Sequence, residues 1–469
     1  MIPSPEGLIV SACLLLVGYL LGAPLLIGLF AALPFGSTSF ATLTAIGGSS
    51  PLIYTLFAAG FIVLVALRRK VLRELGVLFS TQVSPWIVLA LTAYVIASAM
   101  FFPRLFAGQT TAIVPIDGSP TELPLAPVSG NITQTAYFTL GALSFFALSL
   151  ILLREGNLAI VRRAFFTLVV VNASLGLIDL AGKLAGMADI LAPIRTASYA
   201  FLTTVQQAGF WRIAGGYSEA SGFGAMSLVC LAFTYTYWRR AHSGFAFALT
   251  IVLGALVLLS TSTTAYAGLA VMSLGPIYSL GRSAFRGQLE ANDLLLVVLG
   301  ATFIALMMAV FIFNQPALQP LIDLFEATVL DKPMSESAKE RGYWNYKSFV
   351  AFMDTGGVGI GMGSSRSSSW IISVLAQLGL VGTLAILSLG WITARGMSGL
   401  KPSPGTVELF ALASAVRASA IALLVAASIG GSGADPGILF FLALSVIIAC
   451  RRHAALGVWR PFPRAADAA

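Results

Sequence analysis

The chain has 469 residues, of which 58% are hydrophobic and 10% charged, with a net charge of +8. Soluble domains carry about 25% charged residues. This composition and a mean hydropathy of +0.91 therefore exclude an ordinary soluble enzyme. Apolar runs of about 17–25 residues, enough to cross roughly 30 Å of hydrocarbon, recur along the sequence and predict an all-α, polytopic membrane protein in one integral domain, 1–469.

Twelve candidate spans follow in order, at about 8–33, 51–67, 86–102, 136–153, 164–181, 222–238, 244–260, 263–280, 292–313, 368–394, 408–430 and 436–450. The first lacks a basic leader and outruns a signal peptide, so it is expected to be retained. With the N-terminus cytoplasmic, alternate loops and the C-terminal tail hold seventeen of the 27 lysines and arginines, while about 12 of the 19 acidic residues fall on the other side. Placement in short loops makes the positive charge a topology signal, not a nucleic-acid footprint. Both termini are expected in the cytoplasm. Cys13, Cys230 and Cys450 lie in or at the end of apolar runs without metal-ligand spacing and are expected to be small buried hydrophobes. His242 and His453, each beside arginines, read as solvated loop residues.

Three loops on the outer side are long. Residues 103–135 carry five prolines and predict an irregular cap. Residues 182–221 are mildly apolar and suit a re-entrant or interfacial segment. Residues 314–367 begin at Asn314-Gln315-Pro316, continue through Asp323, Glu326 and Asp331, and form the largest polar island in the chain. The opposite loops are too short to hold a nucleotide-binding domain, and no Walker A motif is present.

Four constellations could carry chemistry. Arg212 to Gly224 puts an arginine, Tyr217, Glu219 and several glycines at a membrane boundary, as a ligand clamp or as an interface anchor before a helix start. Ser335 to Lys347 offers Lys339, Arg341 and Lys347 as donors to an anion, with Glu336 and Glu340 on one helix face; a solvated amphipathic helix is the plainer alternative. Gly357 to Gly363, followed by Arg366, could form an anion nest before a helix N-terminus or a tight packing turn. Arg417 lies inside an apolar run, either paired with Asp435, Asp179 or Glu219 or reaching toward the cytoplasm.

Together these elements resemble the O-antigen polymerase and ligase superfamily of bacterial envelope glycosyltransferases. One family motif is matched by Arg212, Gly215 and Ser218-Glu219-Ala220-Ser221. A second is matched by Arg341, Trp344, Gly357 to Gly363 and Gln377-Leu378-Gly379-Leu380-Val381-Gly382. Two departures stand out. The chain reads Ser262-Thr263-Thr264 where the family often has Ser-Arg, and the long loop lacks the histidine found in ligases, which favours a polymerase. The resemblance implies a GT-C-like fold of about 12 transmembrane helices, a long periplasmic loop of short helices, and a place in the bacterial inner membrane. It implies transfer of an undecaprenyl-diphosphate-linked oligosaccharide to another lipid-linked repeat unit, without cofactor or metal. In that reading Arg212 and Arg341 neutralise the diphosphate and Glu219 or Glu336 activates the acceptor hydroxyl. Lys339, Lys347, Arg366, Arg417, Tyr217 and Trp344 bind substrate. Donor, acceptor and membrane lipids would be the partners, with a chain-length regulator and a flippase beside them. A polysaccharide ligase of the same superfamily and a lipid-linked oligosaccharide transporter are the alternatives.

Overall fold

The computed structural model describes residues 2–43, 49–116, 119–187, 189–199, 201–313 and 334–457 apart from Ser403, with a few isolated residues between 319 and 331. Asn314, Gln315, Pro316 and Lys332 of the long polar loop lie outside the described residues. Helices account for 71% of the described residues. Among the described residues they are α1 (Pro5–Leu20), α2 (Pro24–Ala32), α3 (Ile53–Ala66), α4 (Val71–Thr81), α5 (Ser84–Leu105), α6 (Ser129–Ile151), α7 (Leu158–Leu184), α8 (Ala220–Ala241), α9 (Gly244–Leu259), α10 (Thr263–Phe285), α11 (Ala291–Phe313), α12 (Glu336–Asp354), α13 (Trp370–Arg395), α14 (Val407–Gly430) and α15 (Ile438–Leu456). Short antiparallel pairs join β1 (Ile2–Pro3) to β2 (Ala41–Thr42), β3 (Thr111–Ile116) to β4 (Ser119–Pro124) and β5 (Gln206–Gln207) to β6 (Phe210–Trp211). Among the described residues, helices α5, α6, α7, α13, α14 and α15 are long and apolar enough to cross a membrane, and the mostly helical structure is compatible with an all-α membrane protein.

The first apolar run departs from expectation. Residues 8–33 are not one span but two helices, α1 and α2, joined by a turn at Leu21–Ala23. Pro24 opens the second helix, where its missing N–H costs nothing. The reversal returns the chain to its starting end: Ser4 N–H donates to Phe40 O (2.9 Å), and β1 pairs with β2 there. The last helix runs the other way and finishes beside the end of α6, with His453 Nε2 2.8 Å from Leu152 O. β1 and the last turn of α15 therefore lie at opposite ends of the bundle. His453 is also buried, not solvated, because Leu152 O gives its ring a partner. Cys230 and Cys450 are buried as expected, whereas Cys13 is exposed on the outer face of α1.

Helix α13 is broken at Gly379 (φ 61°, ψ −164°). The glycine-rich loop after α12 repairs the break. Ile360 N–H donates to Ala376 O (2.8 Å), Gly361 N–H to Gln377 O (2.9 Å), and Leu380 N–H to Gly357 O (3.0 Å). Tyr94 OH satisfies Leu378 O at 2.8 Å. A Cβ on Gly359 would sit 2.6 Å from Gly379 N, so the two backbones can meet this closely only as glycine. Every amide from Gly357 to Ser364 already donates within the protein. The run is consequently a packing device and not the anion nest that its sequence allowed.

Candidate anion-binding site

Arg212 leaves β6 on a stretch of backbone held from below by the last turn of α7. Asp179 Oδ2 accepts from Lys183 Nζ (2.9 Å), Ala214 N–H (2.7 Å) and Gly215 N–H (3.0 Å), and Lys183 Nζ also donates to Arg212 O (2.5 Å). Both side chains of this pair are 1% exposed. Arg195 adds a second tie, donating to Gly215 O (2.5 Å) while it pairs with Asp189. Tyr217 OH donates to Leu33 O (3.1 Å), so its hydroxyl anchors the loop to the end of α2. The result is a fixed backbone that presents the Arg212 guanidinium, which has no ion pair among the described residues.

The second guanidinium comes from α12. Its N-cap, Ser335, accepts from Ala338 N–H through Oγ (3.3 Å), and Arg341, Trp344 and Asn345 share one face at i, i+3 and i+4. Asn345 Oδ1 accepts from Ser368 N–H (2.8 Å), and Arg366 lies over the Trp344 ring at 5.2 Å. Arg341 is close enough to Arg212 for their charges to oppose each other, with Glu219 and Tyr266 the compensating neighbours. Burial first, and the charge of Arg341 after it, hold the Arg212 guanidinium below its ordinary pKa. Arg212 Nε is buried with no hydrogen-bond partner. Among the described residues, neither Arg212 nor Arg341 has a carboxylate within ion-pair distance. Both arginines are half-buried, and two guanidiniums brought this close could share a bound anion. Glu219, at the N-cap of α8, accepts from Ser221 Oγ.

Other predicted site residues are placed elsewhere. Glu336 and Lys339 pair with each other at 3.0 Å on the solvent face of α12, their side chains 87% and 63% exposed. Lys347 binds Glu122 of β4 (2.6 Å), where Tyr343 OH (2.5 Å) and Thr111 Oγ1 (2.6 Å) also donate. Those donors hold the Glu122 carboxyl down at about 2. Lys347 thus fastens the β3–β4 hairpin to α12. Arg417 sits toward the opposite end of the molecule, and its charged neighbour is Arg240, not Asp435, Asp179 or Glu219. Asp179 is already committed to Lys183.

Sequence reasoning missed the Asp179–Lys183 clamp, whose only signal is an acid and a base four residues apart near the end of an apolar helix. It named Asp435 only as a partner for Arg417. Asp435 lies instead between α14 and α15, accepts from Gly437 N–H (2.9 Å), and has Tyr54 as a charge-coupled neighbour. Burial pushes its carboxyl up to about 6. Its loop is tied to the start of α13 through Trp370 Nε1, which donates to Ala434 O at 3.1 Å. Among the described residues, no group of three or more His, Cys, Asp or Glu side chains is placed to hold a metal.

No protein-family model matches this chain. No curated protein sequence matches it either.

Proposed function

We propose that the protein is a glycosyltransferase of the bacterial inner membrane that polymerises oligosaccharide repeat units carried on undecaprenyl diphosphate. The observation that carries this reading is the convergence of Arg212 and Arg341 from distant stretches, both unpaired among the described residues, beside Glu219 at one end of an apolar bundle. A diphosphate is the anion such a pair fits, because planar guanidinium forks match phosphate oxygens. A polyprenyl carrier accounts for a membrane-level site, and an already activated donor needs no nucleotide domain.

The loops that hold most of the lysines and arginines lie at the other end of the bundle, so the positive-inside rule puts Arg212 on the periplasmic side. The segments 182–221 and 314–367 are periplasmic in this arrangement. The N-terminal strand falls on the same side, and the end of α15 in the cytoplasm. Residues 2–7 contain no lysine or arginine, so the turn-back of α1 and α2 leaves the charge asymmetry unchanged.

In the reaction, the acceptor hydroxyl oxygen attacks the anomeric carbon and the bond from that carbon to the diphosphate oxygen breaks. The electron pair leaves with the diphosphate, and the hydroxyl proton passes to Glu219. Arg212 and Arg341 meet the charge that grows on the leaving group, with their positions set before the reaction begins. The Asp179–Lys183 clamp acts through Arg212 as a positioning pair. Arg366 and Trp344 flank the site from the long loop. The absence of a histidine in that loop favours polymerisation over ligation.

Arg212→Ala and Arg341→Ala should each lower transfer by roughly 10²–10³-fold with normal amounts of protein in the membrane. Glu336→Gln should retain activity, because its carboxylate faces solvent. The assay is elongation of a lipid-linked repeat unit by purified protein. Unaltered elongation by both arginine variants would refute the proposal, and finished polymer moved to a different acceptor would establish a ligase.

A further inference from the structure

A cavity of about 980 Å³ opens at the end of the bundle opposite Arg212, between α8, α10 and α14, and the proposed transfer reaction makes no use of it. Its walls are apolar, with Leu228 and Leu231 from α8, Met272 from α10, and Ile421 and Val425 from α14. Arg239, Arg240 and Arg417 also line it. Glu290 is the carboxylate among the lining residues. Arg239 is paired with Asp293, yet its Nη1 is buried without a partner. Arg240 and Arg417 have no ion pair among the described residues, and their charges oppose each other. Arg417 leaves the middle of α14 but passes over Gly396, where a Cβ would lie 2.8 Å from its Cδ. Gly396 caps the end of α13, so the guanidinium reaches the level where that helix stops.

The dimensions fit a lipid lying along the helices. Eleven residues separate Leu228 from Arg239 on α8, a rise of about 16 Å, which is the reach of much of an acyl chain. We propose that this cavity holds one anionic phospholipid, its phosphate between Arg240 and Arg417 and an acyl chain along Leu228, Met272 and Val425. A neutral lipid would leave two opposed guanidiniums uncompensated at the membrane boundary. A soluble anion would leave the apolar wall bare. A phospholipid satisfies both parts, and basic pockets between helices are suited to such head groups. The inference stands on this cavity and not on the transferase reading.

The test is binding by delipidated full-length protein, read by native mass spectrometry and by thermal unfolding with added phosphatidylglycerol or phosphatidylcholine. Phosphatidylglycerol should bind at one per chain and raise the unfolding temperature, and phosphatidylcholine should not. Arg240→Gln should weaken binding about fivefold and the Arg240→Gln/Arg417→Gln pair by about 25-fold. Arg286→Gln, outside the cavity, should change nothing. Arg240 is exposed on α8, so its variant is a readout even if loss of Arg417 disturbs folding. Equal retention of phosphatidylcholine, unweakened binding by Arg240→Gln, or preference for a polyprenyl diphosphate over phosphatidylglycerol would each overturn the proposal.

Discussion

Replacing Asp179 by alanine removes one oxygen that serves three donors, all within 3.0 Å. Lys183, 1% exposed, would keep only the Arg212 carbonyl as partner. Breaking a buried ion pair at one member costs about 3–5 kcal/mol, since the remaining charge stays desolvated. The Ala214 and Gly215 amides lose their acceptor as well, at about 1–3 kcal/mol for each group left unpaired. The expected destabilisation of Asp179→Ala is therefore at least about 5 kcal/mol. The Asp179→Ala/Lys183→Met double variant removes the stranded charge but not the stranded amides. It should accordingly recover about 2 kcal/mol or more of that loss. A double-mutant cycle by unfolding of the purified protein in detergent measures the difference. A cost below about 1 kcal/mol for Asp179→Ala, or a double variant as unstable as the sum of the singles, would show that no such clamp exists. Elongation should fall with Asp179→Ala too, because Arg212 is held by the same backbone.

Further predictions concern the hairpin, the kink and the Asp435 loop. The Glu122 carboxyl, held at about 2 by donors from Lys347, Thr111 and Tyr343, contributes stability that is present above its ordinary range near 4.5 and is lost as pH falls toward 2. Lys347→Met should remove much of that dependence; with Glu122 30% exposed the contribution is at most about 1 kcal/mol, read as faster hydrogen exchange in β3 and β4. Gly379→Ala would place a Cβ 2.0 Å from Val358 O at a positive φ, so it should cost at least about 3 kcal/mol and lower the amount of folded protein; wild-type unfolding would contradict the packing of the loop on α13. The Asp435 carboxyl keeps its proton up to about 6, above the 3.8 of an unburied aspartate. Stability should then fall as pH rises from about 4 through 6, by at most about 3 kcal/mol, and Asp435→Asn should abolish that slope; an unchanged slope in unfolding curves would refute it.

Much of the architecture was legible because it is written locally. Hydrophobic length is a property of a window of sequence, so the eleven runs from residue 51 onward each coincide with a helix. The first run misled because an all-apolar stretch can reverse without a change of polarity, and the Gly22-Ala23-Pro24 break is its only sign. The glycines at 357–363 announced a special backbone but not its partner, since the carbonyls they answer belong to a kink at Gly379 in another element.

Charged side chains were hardest to place. Ser335–Lys347 mixes three cations with two carboxylates, and only the packing of α12 decides which partner each meets. It turns Arg341 toward Arg212, pairs Lys347 with Glu122 and leaves Glu336 with Lys339 in solvent. Arg417 similarly reads as a buried cation from its helix position, while the fold carries its head group to a cavity wall beside Arg240. By itself the sequence determined that this chain is apolar, helical and bound to a membrane, and where its polar segments lie. Only the tertiary structure decided which charges meet, because desolvation and pairing depend on neighbours that are remote along the chain.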